Sequence, residues 1–138
     1  MKSLIHALDV NVSRESVHEA LTTLDGLAGW WTTKVDGDPA GGVIAFTFRD
    51  DFNPDMRVDE ATLDTVAWTC VGGHDPWADN TFRFRLSGSS PTSILFRQDY
   101  ARELDDRTYG IYNFNWGFYL ESLRLHLETG AGKPFAAA

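Results

Sequence analysis

The residues best placed to bind or react are aromatic. Nine Phe, five Trp and four Tyr make up 13% of the 138 residues. Phe46, Phe48, Trp68, Phe82, Phe84 and Phe96 fall at alternate positions of segments that also carry Val58 and Ile94. Trp30 and Trp31 are adjacent, and Trp116, Tyr119 and Leu120 recur at helical spacing near the C-terminus. Rings bury large areas and can wall a pocket for a flat or apolar ligand. The same pattern also describes a core packed solid.

The polar candidates are fewer. Glu60 is in phase with Met56 and Val58, so strict alternation turns it inward. An unpaired carboxylate there is desolvated, with Gln98 and Tyr100 in phase with an apolar face and able to hydrogen-bond it. That makes Glu60 a polar anchor or a general acid/base, unless the strand ends or bulges and the side chain reaches water. His74-Asp75 stands in a Gly-rich loop beside Trp77. A His next to a carboxylate can shuttle protons, although adjacent residues seldom point the same way and a solvated loop is the simpler reading.

His6, His18, His74 and His126 fall on four different segments with no i, i+4 pair, which offers no convergent metal site. The single Cys70 is in phase with Val66 and Trp68 and reads as a buried, inert thiol. It permits no intramolecular disulfide. No P-loop, dinucleotide fingerprint or Gly-x-Ser-x-Gly elbow occurs. Neither metal nor cofactor is expected. Twelve basic against twenty acidic residues leave a net charge of −8, which repels nucleic acid and anionic membrane surfaces. No secretory signal or bilayer-spanning run is expected, and one Cys suits a reduced, cytoplasmic setting.

These residues need elements to hold them. Leu4 to Val12 alternates as a half-buried strand. Ser13 caps a helix with Val17, Ala20, Leu21 and Leu24 on one stripe. Asp25-Gly26 is expected to stop it, and a short second helical turn carries Leu27, Trp30 and Trp31. Asp36 to Gly42 reads as a loop. Short strands then follow at 43–48, 56–63, 66–70, 82–86 and 94–100, with a hairpin turn at Gly88–Pro91. Ala101–Gly110 reads as a polar linker. From about Tyr112 to Thr129 the period is helical, and Gly130 stops it. Residues 131–138 read as a flexible tail. One α+β domain over 1–138 results: a curved antiparallel sheet around a long C-terminal helix, with two short helices after the first strand.

Four patterns in order carry a family resemblance. They are Val12–Val17 before Ala20-Leu21; Trp30-Trp31; Val66–Gly73 followed by Trp77; and Trp116 with Tyr119–Arg124 and Glu128–Gly130. Together they resemble the helix-grip fold of the SRPBCC (START and birch-pollen-allergen) superfamily, in the branch related to the C-terminal domain of the activator of the Hsp90 ATPase. The resemblance implies a sheet gripping the last helix around an apolar cavity, and no shared catalytic residue. On it rests the expectation of a binder of a small apolar or aromatic ligand between sheet and helix. The expected site is Trp30, Phe46, Phe48, Val58, Glu60, Trp68, Phe82, Phe96, Gln98, Trp116, Tyr119 and Leu120. Two rivals stay open: a cyclase- or hydrolase-type enzyme in the same cavity, and a co-chaperone-like interaction domain. A protein partner and a homodimer stay open too.

Overall fold

Alternating burial drives most of the architecture. In the computed structural model, which describes residues 2–138, seven strands form one antiparallel sheet in the order β1-β7-β6-β5-β4-β3-β2. They are β1 (Ser3–Val10), β2 (Lys34–Gly37), β3 (Val43–Thr47), β4 (Asp55–Ala61), β5 (Thr65–Gly72), β6 (Thr81–Gly88) and β7 (Thr92–Asp99). Along β6, Phe82, Phe84 and Leu86 are buried while Arg83 and Arg85 are exposed. Along β7, Ile94, Phe96 and Gln98 are buried in the same phase. This is the helix-grip α+β layout, with the sheet curved around the last helix.

Three helices cover the inner face: α1 (Arg14–Thr22), α2 (Leu24–Trp30) and α3 (Asp106–Thr129). Ser13 caps α1, its hydroxyl accepting the Ser16 N–H. The break between α1 and α2 falls at Thr23, not at Asp25-Gly26 as expected. Thr23 caps α2 by accepting the Gly26 N–H at 3.0 Å. Gly26 instead lies inside α2 as a notch: a Cβ there would stand 2.7 Å from the Ala20 Cα. The two helices can close on each other only without it.

Three further differences bear on the site. Lys34–Gly37 pairs with β3 as an edge strand, where a loop from Asp36 is expected. The supposed linker ends at Asp105, whose carboxylate accepts the Thr108 N–H at 2.7 Å and starts α3 six residues early. The tail is fastened rather than loose. Thr33 donates to the Phe135 carbonyl at 2.9 Å and Phe135 donates to that of Trp31 at 2.8 Å, while the Lys133 N–H donates to the Ser122 hydroxyl.

The interior between sheet and α3 is filled by rings. Trp31 stacks on Trp116 at 5.1 Å between centroids, on Trp30 at 6.0 Å and on Trp68 at 6.2 Å. Phe46 and Phe48 meet it edge-on at 4.5 and 5.1 Å. The Trp116 indole N–H donates to Gln98 Oε1 at 2.8 Å, which ties α3 to β7 inside the core. Trp116→Ala is expected to cost about 3–5 kcal/mol in urea melts as a large-to-small core change. Trp116→Phe retains a ring but strands the buried Gln98 acceptor, a loss of about 1–3 kcal/mol. An alanine variant losing under about 1 kcal/mol would overturn this packing.

Candidate functional site

Two loops and one helix face leave a cleft at the end of the sheet. The β3–β4 loop contributes Phe48 through Phe52, the β5–β6 loop His74 and Trp77, and α3 contributes Ile111, Tyr112, Asn115, Trp116 and Tyr119. Trp31 and Phe135 complete it, and its volume is about 370 Å³. The loops are locked together by local chemistry. Asn53 Oδ1 accepts the Phe48 N–H at 3.0 Å, its amide donates to the Asp50 carbonyl, and its own N–H donates to the Gly73 carbonyl. Gly73 has φ +81°, and a Cβ there would collide with the Asn53 carbonyl oxygen. Glycine is therefore required where the two loops touch.

The cleft wall carries one hydrogen-bonded pair with acid–base character. His74 Nε2 lies 2.7 Å from the Tyr112 hydroxyl, and His74 Nδ1 lies 3.3 Å from the Asp51 carbonyl. A carbonyl can only accept, so Nδ1 carries the proton and Nε2 accepts from the tyrosine. Burial lowers the His74 pKa, against the opposing pull of the Asp51 carbonyl and the Asp51 and Asp75 charges. Burial raises that of Tyr112, helped by the Asp51 charge. Both shifts favour the neutral pair. The ring of His74 meets Phe52, Trp77 and Tyr112 edge-on, at 4.6, 5.4 and 5.8 Å. Across the cleft the Arg49 guanidinium lies over the Phe135 ring at 5.7 Å.

Of the residues expected at the site, Phe48, Trp116 and Tyr119 line this cleft. Trp30, Phe46, Trp68, Phe82 and Phe96 are packed in the core behind it. Gln98 is buried against Trp116, Leu120 is buried on α3, and Val58 is half-buried on β4. Glu60 requires a correction. The β4–β5 register shifts between Val58 and Glu60, so Val58 pairs with Trp68 and Glu60 with Ala67. This bulge reverses the side-chain phase, and Glu60 is exposed on the outer face, accepting from the Thr62 hydroxyl. It is neither a cavity anchor nor an acid in the core. Tyr100 is buried against Tyr109 and Tyr112, and burial raises its pKa far above the ordinary value.

The sequence placed Trp31 beside Trp30 but not in the expected site, and spacing alone did not single out Phe52, Tyr112 or Phe135. Tyr112 was legible as i−4 to Trp116 once the helix is started at its Asp105 cap. Phe135 had no signal, because its place depends on a tail that pairs with residues a hundred positions away.

Two measurements follow. His74 in the unfolded chain titrates near about 6.5, and its folded value is lower. Between the two, the unfolded state binds more protons, so stability falls as pH drops through about 6.5 and levels off below the folded value. His74→Gln is expected to remove that part of the pH dependence of the melting temperature. An unchanged profile would overturn the buried neutral imidazole. Glu60→Gln is expected to shift the unfolding free energy by no more than about 0.5 kcal/mol at neutral pH; a larger change would return Glu60 to the interior.

The sequence matches no family model and no curated protein. Solved structures do match. The Aha1 dimer from Colwellia psychrerythraea superposes with a TM-score of 0.83 at 30% identity, over 96% of this chain and 100% of that one. DynU16, from the dynemicin biosynthetic locus, matches with a TM-score of 0.78 at 18% identity, over 96% of this chain and 49% of its own. CalU16 from Micromonospora echinospora matches at 0.73 and 15%, over 95% of this chain and 69% of its own. The last two share the fold alone. The first is similar along its whole length as well as in fold, and the chain belongs to the Aha1 (activator of Hsp90 ATPase homologue) family.

Proposed function

We propose that the end cleft binds a small, flat aromatic molecule, neutral or cationic. The observation that carries this reading is the wall itself. Phe48, Phe52, Trp77, Tyr112, Tyr119 and Phe135 present rings to a volume of about 370 Å³, within the range of small-molecule sites, about 300–1,000 Å³. Charge argues for the ligand's sign. Asp50 and Asp51 line the cleft with one guanidinium, Arg49, and the whole chain carries −8. An anion meets net repulsion there, while a cation finds both carboxylates and ring faces. Arg49 over Phe135 is an internal example of that second contact.

A second reading is favoured by one observation, the His74–Tyr112 hydrogen bond. The tyrosine oxygen can take a proton from a bound substrate as its own proton passes to His74 Nε2, and the same relay in reverse returns it. Ligand binding then precedes proton transfer in the same cleft. We also infer that the chain works as a homodimer, as its Colwellia relative does, and that its setting is the cytoplasm. No helix among the described residues is long and apolar enough to cross a membrane.

Native mass spectrometry of freshly purified protein, followed by titration with neutral and cationic bicyclic aromatics, tests the binding reading. Binding is expected to quench tryptophan emission, because Trp31, Trp77 and Trp116 line the cleft. Phe52→Ala is expected to weaken it about tenfold, equivalent to about 1.4 kcal/mol. No bound molecule and no response to any of these compounds would overturn the reading. Should one of them turn over, Tyr112→Phe and His74→Gln are expected to abolish turnover while leaving binding within about threefold.

A further inference from the structure

Helix α3 has a second apolar face, and none of the described residues covers it. Ile111, Phe114 and Phe118 are 47%, 77% and 48% exposed. Their spacing, i, i+3 and i+7, lays them in one stripe along the helix. Large apolar groups grouped on one helix face mark a contact surface. Beside the stripe run two glycines seven residues apart, Gly110 and Gly117. Glycine is the weakest helix former after proline, so two in the middle of one helix ask for a reason. The fold supplies none. A Cβ on Gly110 would meet nothing within 4 Å, and one on Gly117 would meet only the edge of His6, at an ordinary 3.7 Å.

We infer that this face is the interface with a second copy of the chain, the two α3 helices crossing antiparallel about a two-fold axis at Phe114. That symmetry sets each residue before Phe114 beside one about as far after it. Ile111 then packs against the second copy's Phe118, and the reverse contact repeats it. Gly110 falls beside the second copy's Gly117, and the bare strip lets the backbones approach closely. Arg107, seven residues before the axis, falls beside Glu121, seven after. Arg107 forms no ion pair among the described residues of its own chain. Glu121 is held by Arg124 on the same helix and still presents its carboxylate at the surface. Size, absence of side chain and charge are thus each self-complementary under one operation. A shallow hollow over the N-terminal half of this face, between Arg107, Gly110, Ile111 and Phe114, receives the second copy's Phe118. The inference deepens the homodimer reading by naming its surface, and rests on it.

Sedimentation velocity from low micromolar to submillimolar concentration is the first measurement. A reversible dimer is expected. Phe114→Glu is expected to weaken it at least about thirtyfold, as loss of a central anchor does. The side chain is exposed, so the fold is retained. Gly110→Leu is expected to weaken the dimer at least about tenfold by filling the strip, while its monomer melts no lower than wild type. Mixed Ile111→Cys and Phe118→Cys proteins are expected to form the heterologous disulfide faster than either protein forms its own. A chain monomeric throughout overturns the dimer and leaves the stripe to a different protein. A dimer untouched by Phe114→Glu overturns this surface alone, and preferential Ile111-to-Ile111 linkage overturns the antiparallel register.

Discussion

Trp31 stands where α2, α3 and the sheet would otherwise enclose a space, and its ring is in contact with all four other tryptophans. The planes of Trp30, Trp68, Trp77 and Trp116 lie within 16–26° of its own, while Phe46 and Phe48 close on its edges. Offset stacks and edge contacts of this kind each add about 0.5–1.5 kcal/mol beyond the area they bury. One side chain thereby couples the end of α2, strands β3 and β5, the β5–β6 loop and α3. Its carbonyl also accepts the Phe135 N–H, so the C-terminal segment is secured to the same residue.

That filling decides where a ligand could go. A helix-grip domain with smaller residues at this point would enclose a cavity between helix and sheet. Here the interior is occupied by rings, and the aromatic-walled cleft opens at the end of the sheet. There the β5–β6 loop meets α3 through the His74–Tyr112 hydrogen bond and the Trp77–Tyr112 ring contact, and Phe52 of the β3–β4 loop packs on His74 and Trp77. The floor of the cleft is rigid core, namely Trp31 and Trp116. Its rim is polar loop held by the Asn53–Gly73 contact. A rigid aromatic floor under a polar rim orients a flat molecule without having to order itself first.

The two apolar faces of α3 serve different ends. The inner face, Trp116, Leu120 and Leu123, is buried against the sheet. The outer face bears rings and glycines that its own fold does not use. Ile111 belongs to both, since it lines the cleft as well as the stripe. A second copy seated on the stripe would therefore stand beside the mouth of the cleft.

Period-two and period-3.6 patterns determined the element order apart from β2, the antiparallel sheet, the α1 cap at Ser13 and the αL stop at Gly130, because each depends on neighbours a few residues apart. The same short range made Phe48, Trp116 and Tyr119 recognisable as inward-facing. It misplaced Glu60, because a bulge is a property of two paired strands and leaves no mark in one of them. It treated Trp31 as one ring among many, since only the approach of α2, α3 and the sheet from distant parts of the chain puts it at their centre. The His74–Tyr112 pair joins positions 38 residues apart, and Phe135 reaches the cleft by pairing with Trp31 and Thr33. Such contacts are chosen by the closing of loops and the exclusion of water from the whole core. Local sequence determines which face of an element is apolar; only the assembled tertiary structure decides whether that face meets a ring, a void or a second chain.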